Sequence, residues 1–330
     1  MSDFALFCCC TDLHLSTKVP SCRSDDFVQT QLFKLNQLLT VAEHQTKMKL
    51  VLCAGDFFDS ATRNMDYTML ARLIALFNAH RSVRFITVAG NHDMRFHTND
   101  LMNTPLNILA TACENFQIAT ALITDIITDD VVLHIHSANW GENLEDLARV
   151  HRLSGTDFHK DKEHIWVGLT HRTVFEKTVA PWAETTGITA KVLIELCNES
   201  QDKHKFDYII TGDNHETFVV EHDGTTLINA GPMLRTSIDK IDFQPHFARV
   251  WKDKVSLAKF PIVHSDHSFD HNYVAQQKEL KEATKIDFDN LLTEVNNAVG
   301  ITNDFRKAIK LVVTQKHPEL LEKLEKIINS

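Results

Sequence analysis

The sequence predicts an α/β protein with two β-sheets, followed by a helical C-terminal region. Between residues 4 and 89, short β-branched or Phe-rich runs alternate with amphipathic helical patterns. After residue 208, turn signals separate neighbouring strands, and beyond residue 266 the remaining pattern is helical. With 330 residues, of which 43% are hydrophobic, the chain is able to bury a full core.

The strand predictions rest on short apolar runs that are bounded by Gly, Asp or Asn. The predicted strands are residues 4–11, 50–55, 83–89, 131–138, 165–170, 208–211, 218–221 and 226–230. Two helices lie between the first three strands, because apolar residues recur there with a period near 3.6. These residues are Phe27, Leu32, Leu35, Leu38, Leu39 and Ala42, and then Met69, Leu70, Leu73, Ile74 and Phe77.

Two hairpins are predicted in the second half of the chain. His222-Asp223-Gly224 is a turn between two strands, and the Lys-Asp-Lys segment at 252–254 separates two further apolar runs. Hairpins join antiparallel strands. We therefore expect the second sheet to be more antiparallel than the first.

The polar stretch at 264–271 marks a change in composition, and we divide the chain there into residues 1–265 and 266–330. Beyond it, helical stripes and their start and stop signals predict three helices. The stripes are Phe288, Leu291, Leu292 and Val295; Phe305, Ala308, Ile309, Val312 and Val313; and, after Pro318, Leu320, Leu321, Leu324, Ile327 and Ile328. They either pack into a small bundle or cap, or dock on a partner.

Composition excludes several classes of protein. No apolar run is long enough to span a membrane, and the N-terminus has no basic region typical of a signal peptide. A formal net charge of −10 argues against a protein that coats nucleic acid, although a local basic rim remains compatible with it. The seven cysteines include no C-x-x-C pair, which favours buried, reduced thiols in a cytoplasmic protein.

Five short polar motifs each follow a predicted strand. They are T-D-L-H at 11–14, G-D-F-F-D at 55–59, G-N-H-D at 90–93, L-T-H at 169–171 and T-G-D-N-H at 211–215. Each motif alone is weak. All five motifs occur in a fixed order at strand ends, which makes coincidence improbable. Strand ends are also where open α/β sheets bind their ligands.

Asp, Asn and His side chains in this number suit two divalent metal ions and a phosphate ester. Two ions about 3.5–4 Å apart neutralise the charge of the phosphate and lower the pKa of a bridging water. One carboxylate has to bridge the pair. Mixed oxygen and nitrogen ligands without thiolate suit Mn²⁺, Fe²⁺ or Zn²⁺, and suit Mg²⁺ less well.

These motifs resemble the calcineurin-like metallophosphoesterase superfamily, whose pattern is D-x-H, G-D-x-x-D, G-N-H-D/E, a lone H and then G-H-x-H. Within it, the chain most resembles SbcD-type nuclease subunits of DNA double-strand-break repair complexes. T-D-L-H-L-S and the segment L-I-N-A-G-P-M-L-R-T-S at 227–237 carry this narrower likeness, which covers residues 4 to 250. The resemblance implies a four-layer α/β/β/α sandwich of two mixed sheets.

The resemblance also implies a role for each motif residue. Asp12, His14 and His215 would hold one metal ion, Asn91, His171 and Asp213 would hold the other, and Asp56 would bridge them. His92 would not be a ligand. It would clamp the scissile phosphate and protonate the leaving oxygen, and Asp59 would orient it as a carboxylate partner.

The chain departs from the family pattern at one ligand, because Gly212-Asp213-Asn214-His215 replaces G-H-x-H. In one interpretation Asp213 is a direct ligand that shifts the preference towards harder ions. In the other, the shorter side chain fails to reach and the second metal binds weakly. The intact remainder of the set favours the first interpretation.

The resulting functional prediction is a two-metal phosphodiesterase that uses Mn²⁺ or Mg²⁺ and acts on DNA as an exonuclease, with endonuclease activity also open. By resemblance, it would pair with a second copy and bind a coiled-coil ABC-type ATPase through helices after residue 287. The alternatives are a phosphomonoesterase or cyclic-nucleotide phosphodiesterase of the same superfamily, and an inactive scaffold. The basic residues Lys18, Arg63, Arg95, Arg172 and Arg235 are candidates for DNA contacts.

Overall fold

A computed structural model describes residues 4–62, 66–98, 100–119, 122–145, 159, 161–199, 205–260, 268–283 and 305–316. The chain divides into two compact units, Met1–Phe269 and Asp270–Ser330. The predicted boundary between residues 265 and 266 lies outside the described residues.

The first unit contains fourteen strands and four α-helices among its described residues. The strands are β1 (Phe7–Cys10), β2 (Leu50–Cys53), β3 (Arg84–Thr87), β4 (Phe116–Ile118), β5 (Leu122–Ile127), β6 (Val131–Ala138), β7 (Glu163–Thr170), β8 (Val174–Phe175), β9 (Ile188–Thr189), β10 (Tyr208–Thr211), β11 (Phe218–His222), β12 (Thr225–Asn229), β13 (His246–Val250) and β14 (Val255–Lys259). The helices are α1 (Phe27–Gln45), α2 (Tyr67–Ala79), α3 (Pro105–Ala112) and α4 (Ala190–Asn198).

Two six-stranded sheets organise these elements. The first sheet has the order β14-β13-β1-β2-β3-β4, and the second has the order β11-β12-β10-β7-β6-β5. In the first sheet the pairs from β1 to β4 are parallel and both β13 pairs are antiparallel. In the second sheet the pairs from β12 to β6 are parallel and both outer pairs are antiparallel. Both sheets are therefore mixed.

The expectation of a more antiparallel second sheet is wrong. Both predicted hairpins form, but only β11–β12 belongs to the second sheet, whereas β13–β14 adds two antiparallel strands to the first. The centre of the second sheet is parallel because connections longer than a hairpin, one of which contains α4, join β6 to β7 and β7 to β10. A hairpin signal specifies local pairing and does not specify the sheet that the pair joins.

Three apolar layers show that the unit is the four-layer sandwich implied by the resemblance. The first cluster joins α1, α2 and α3 to the outer face of the first sheet. The second lies between the two sheets, where Leu52 and Ile86 meet Leu133, Ile135 and Val167. The third packs α4 on the outer face of the second sheet.

The predicted elements of this unit are all present, with shorter bounds for the first three strands. Asp26 and Asp66 begin α1 and α2 as N-caps, since their carboxylates accept the amides of Gln29 and Met69. Strands β4, β5, β8 and β9 and helices α3 and α4 were not predicted, since their segments are short or weakly periodic. The seven cysteines are buried and none forms a disulfide, as predicted.

The second unit contains two described helices, α5 (His271–Ala283) and α6 (Phe305–Lys316). Helix α6 confirms the second of the three predicted helices. The stripes at 288–295 and 320–328 lie outside the described residues. Among the helices that the structure describes, none is both long and apolar enough to cross a membrane.

Phe85 provides a test of the packing beneath the first sheet. It is fully buried, and its ring lies 5.4 Å from that of Phe77 on α2 and 5.2 Å from that of Phe116 on β4. We expect Phe85→Ala to lower the free energy of unfolding by about 3–5 kcal/mol, because it leaves a cavity among close-packed rings. Phe33→Ala is the matched control, since Phe33 is 44% exposed on α1. Urea unfolding that places both variants within about 0.5 kcal/mol of the unmodified chain would contradict this packing.

Candidate metal centre

The seven predicted metal ligands come together at one edge of the sandwich. Each follows the carboxyl end of a strand: β1, β2 and β3 of the first sheet, and β7 and β10 of the second. The two sheets therefore contribute from opposite sides. The residues are Asp12, His14, Asp56, Asn91, His171, Asp213 and His215.

The first group of candidate ligand atoms belongs to Asp12, His14 and His215. The Nε2 atoms of His14 and His215 lie 3.1 Å apart, and they lie 3.9 and 3.8 Å from Oδ1 of Asp12. His14 Nε2 is also 3.6 Å from Oδ2 of Asp56. The three side chains have one ligand atom each within 4.8 Å of the others, which suits one cation.

A second group surrounds Nε2 of His171. This atom lies 3.2 Å from Oδ1 of Asn91, 3.4 Å from Oδ2 of Asp56 and 3.7 Å from Oδ1 of Asp213. Oδ2 of Asp56 is therefore close to both groups. Two groups of side-chain atoms thus lie on either side of one carboxylate oxygen.

Glycines at three of the motifs allow this convergence. A Cβ atom at Gly90 would lie 2.0 Å from Oδ1 of Asp56, and a Cβ atom at Gly212 would lie 2.1 Å from Oγ1 of Thr11. Gly55 has a φ of +90°, and a Cβ atom there would lie 2.6 Å from Nδ1 of His171. A larger residue at any of these positions would push the ligand loops apart.

Four of the candidate ligands have left-handed backbone conformations. The φ angles are 51° at Asp12, 44° at His14, 49° at Asp56 and 74° at Asp213. This conformation costs a non-glycine residue about 1–2 kcal/mol. Unfavourable backbone conformations of this kind persist where the surroundings hold them, and they cluster at functional sites.

Main-chain carbonyl groups orient the two central histidines. Nδ1 of His171 lies 2.6 Å from the carbonyl oxygen of Ala54, which leaves Nε2 for the centre. Nδ1 of His92 lies 2.7 Å from the carbonyl oxygen of Asp59. The sequence assigned this orienting role to the Asp59 carboxylate, whereas the structure shows the contact with the main chain of the same residue. The Asp59 carboxylate remains near, within 4.8 Å of ligand atoms of His14 and His92.

Thr173 was not predicted, yet its hydroxyl donates a hydrogen bond to Oδ2 of Asp213. The other carboxylate oxygen, Oδ1, faces His171. The backbone amide of Asp213 donates to Oδ1 of Asp12 at 3.1 Å. Asp213 therefore lies at the centre, and hydrogen bonds fix both its carboxylate and its backbone.

Asp93 organises the loops beneath the candidate ligands, a role that was not predicted. It is fully buried, and its carboxylate accepts the backbone amides of Phe57 at 3.1 Å, Phe58 at 2.9 Å and Gly90 at 3.0 Å. These bonds join the G-D-F-F-D loop to the G-N-H-D loop. Asn139 adds a fourth contact, because its Oδ1 accepts the amide of Ala89 at 2.8 Å.

Burial and mutual attraction set the protonation of the metal-free centre. Burial raises the pKa of Asp12 to about 7 and lowers the pKa of His14 to about 4. Burial opposes the charges of Asp56 and His171 as well, but their attraction outweighs it. The pKa of Asp56 is therefore below, and the pKa of His171 well above, its usual value. A metal ion would displace the proton of His171 on binding.

Of the predicted DNA contacts, Lys18 is exposed and Arg95 is partly exposed. Arg172 pairs with Glu145, with Nη1 and Oε1 2.9 Å apart. Arg235 is only 6% exposed, and its guanidinium donates to the carbonyl of Ile241 and packs over the ring of Phe269. This burial gives Arg235 a packing role and keeps it from a surface path. Arg63 lies outside the described residues.

The donor set fits a pair of divalent metal ions. Carboxylate, amide and imidazole groups converge without a thiolate, and each histidine that a carbonyl orients keeps Nε2 for the centre. Asp12, His14 and His215 would hold one ion, and Asn91, His171 and Asp213 would hold the other. Which residues bind metal stays a prediction.

Asp93 provides a test of how the loops are held. We expect Asp93→Ala to lower the free energy of unfolding by about 3 kcal/mol or more, because it leaves three buried amides without acceptors. Asp93→Asn retains one acceptor oxygen, so its free energy of unfolding should fall by less. Urea unfolding with a chelator removes any contribution from metal. The exposed Asp129→Ala is the control, and an Asp93→Ala variant as stable as that control would contradict this role.

Comparisons with known proteins support one family. The profile of the calcineurin-like phosphoesterases matches residues 5–217, a stretch that contains all seven candidate ligands. No curated protein sequence matches the chain.

Solved structures with a similar arrangement are distant in sequence. One is TT1561 of Thermus thermophilus, with 9% identity, a TM-score of 0.46 and coverage of 78% of this chain and 100% of that chain. Another is the phosphopantetheinyl hydrolase of Mycobacterium tuberculosis, with 11% identity, a TM-score of 0.42 and coverage of 78% and 97%. The nuclease MPE of Pseudomonas putida has 15% identity, a TM-score of 0.27 and coverage of 52% and 64%.

All three likenesses combine a low sequence identity with a TM-score below 0.5. The family profile is different, since it covers well over half of the sequence and spans every motif of the centre. The chain therefore belongs to the calcineurin-like phosphoesterase family.

Proposed function

We propose that this phosphoesterase is a two-metal phosphodiesterase that cleaves DNA, as the nuclease subunit of an SbcCD-like complex. The observation that carries the proposal is the pair of ligand groups that share Oδ2 of Asp56, 3.6 Å from His14 and 3.4 Å from His171. Exonuclease activity is the main expectation, and endonuclease activity is compatible with the same chemistry.

Two divalent ions, with Mn²⁺ the best match to the mixed ligands and Mg²⁺ an option, would neutralise the phosphate and acidify a water between them. Asp56 keeps the two ligand sets at a fixed separation. The left-handed backbones of Asp12 and Asp213 hold their carboxylates ready before substrate arrives. Such preorganisation is a main source of electrostatic catalysis.

His92 would act on the substrate and not as a ligand. Its Nδ1 contacts the carbonyl of Asp59, which leaves Nε2 to donate to a phosphate oxygen or to the leaving oxygen. The ring lies 5.0 Å from that of His14, so it borders the first ligand group. A positioned donor of this kind stabilises the charge that develops during cleavage.

The segment 227–237 supports DNA as the substrate. Its sequence carries the likeness to SbcD-type nucleases, and its loop lies directly behind Asp12, since the amide of Met233 donates to the Asp12 carbonyl at 3.3 Å. Lys34 fixes the same loop from α1, because its ammonium donates to the Met233 carbonyl at 2.9 Å. The segment that carries this likeness thus contacts the backbone of Asp12, which supports the proposal.

The net charge of −10 favours a partner that supplies much of the grip on DNA. We propose a coiled-coil ABC-type ATPase for this role, together with a second copy of this chain. Helices after residue 287 would bind the ATPase. Of these, the structure describes α6.

His92 provides the test of turnover. We expect His92→Ala to lower Mn²⁺-dependent cleavage of end-labelled duplex and single-stranded DNA by about 100-fold or more, because a general acid contributes about that factor. His44→Ala is the matched control, since the side chain of His44 is 68% exposed on α1. Thermal unfolding should be the same for both variants.

The substrate comparison separates the alternatives. An unmodified chain that hydrolyses p-nitrophenyl phosphate but no DNA would be a phosphomonoesterase. One that prefers cyclic nucleotides would be a cyclic-nucleotide phosphodiesterase. One that folds and binds metal but hydrolyses none of these substrates with its ATPase partner present would be a scaffold. Each of these results rejects the nuclease proposal.

Asp213 and its hydrogen-bond partner provide the test of the second metal. We expect calorimetric titration to show two Mn²⁺ per unmodified chain and one per Asp213→Ala chain. Asp213→His should retain two sites and gain affinity for Zn²⁺, because Zn²⁺ prefers an imidazole ligand to a carboxylate. Thr173→Val should weaken the second site by about tenfold or more, because it removes the hydroxyl that orients the carboxylate.

Thr173→Ser is the matched control, since it keeps the hydroxyl and should keep both sites. One Mn²⁺ per unmodified chain would mean that Asp213 fails to complete the second site. Equal Mn²⁺ binding by the Thr173→Val and Thr173→Ser variants would show that the Thr173 hydroxyl does not support the second site.

A further inference from the structure

We propose that Phe96 stacks on a nucleobase next to the scissile phosphodiester and that Lys240 contacts a neighbouring phosphate. This inference rests on the proposed function, since it names the recognition elements that flank the same centre. Phe96 is 79% exposed and lies in the short 3₁₀ turn Arg95–His97. Lys240 ends a second 3₁₀ turn, Ile238–Lys240.

Phe96 has an unusual backbone conformation for an exposed aromatic residue. Its φ and ψ angles are 54° and 28°, in the left-handed region that bulky residues seldom adopt. Nonpolar burial does not explain this conformation, because most of the side chain faces solvent. Unfavourable conformations that persist without burial are found at ligand-binding positions.

Chain connectivity keeps Phe96 beside the substrate. It follows His92 by four residues, so their Cα atoms are at most about 14 Å apart. Asp93 fixes the start of this segment to the ligand loops through its bonds to Phe57, Phe58 and Gly90. The backbone of Phe96 is therefore tethered close to any phosphate bound at His92.

Lys240 lies next to His215, a member of the first ligand group. Its ammonium donates to the His215 carbonyl oxygen at 2.9 Å, which uses one of its three donors and leaves two for a ligand. The ammonium also lies 5.0 Å from the centre of the Phe243 ring. An ammonium held here is suited to a phosphate that approaches the first ligand group.

Each flank thus pairs a cation with an aromatic ring. On the first flank, the guanidinium of Arg95 lies 5.6 Å from the centre of the Phe96 ring, and on the second Lys240 lies over Phe243. Aromatic rings for bases and cations for phosphates are the contacts that proteins use to bind unpaired nucleic-acid strands. A phosphate ester that carries no base, such as p-nitrophenyl phosphate, would not use Phe96 in this way.

Strand binding in a background that cannot cleave tests both residues. All variants carry His92→Ala with Mn²⁺ present, and fluorescence anisotropy measures the Kd for a labelled thymine decamer and for the same strand with abasic positions. We expect Phe96→Ala to raise the Kd for the thymine strand at least about fivefold and to leave the abasic strand nearly unchanged, because base stacking contributes about that much. Phe33→Ala, on the exposed face of α1, is the matched control and should change neither.

Lys240→Gln should give the opposite pattern. We expect it to weaken the binding of both strands equally, because a phosphate contact does not read the base. The slope of log affinity against log salt should fall by about one unit, because one phosphate contact is lost. Lys240→Arg keeps the charge and should restore the slope.

Several results would overturn the inference. Stacking would be rejected if Phe96→Ala weakened the binding of both strands equally or weakened neither. It would also be rejected if the His92→Ala chain bound no strand at all. A change in molar mass by light scattering in Phe96→Ala would assign the ring to a protein contact instead. If the unmodified chain cleaves DNA and Phe96→Ala binds like Phe33→Ala, this inference alone fails. If the chain cleaves no DNA but Phe96→Ala loses base-dependent binding, the nuclease proposal alone fails.

Discussion

The close approach of Asp56 to both ligand groups is the constraint on which the structure of the centre depends. Two sheets have to deliver loops from opposite sides to within 3.6 Å of one carboxylate oxygen. This approach requires glycine at position 90 and left-handed backbones at several ligands. It also places the carboxylates of Asp12, Asp56 and Asp213 together, where a protonated His171 or bound cations offset their repulsion.

The apolar layers and the Asp93 network make this arrangement possible. The core between the sheets fixes the relative position of the strand ends, and buried hydrogen bonds fix the loops that extend beyond them. Because both features are buried, the unfavourable backbone angles are offset by contacts outside the centre. The fold itself therefore holds the candidate ligands in place, which limits the reorganisation that catalysis needs.

Much of this could be predicted from the sequence, because strand runs and strand-end motifs are local patterns. The eight predicted strands, the helices between the first three strands and the convergence of the seven ligands all follow from such patterns. Contacts between distant segments could not be predicted in the same way. The bond from Thr173 to Asp213, the three amides on Asp93 and the burial of Arg235 against Phe269 depend on tertiary packing. The sheet that accepts β13–β14 depends on long-range pairing as well.

The proposed role of Asp56 is to bind two divalent ions at once. Anomalous X-ray diffraction from crystals of the chain grown with Mn²⁺ would locate these ions. We expect two strong peaks about 3.5–4 Å apart, one beside His14 and one beside His171, with the Asp56 carboxylate between them. A single peak, or two peaks that do not share Asp56, would contradict it.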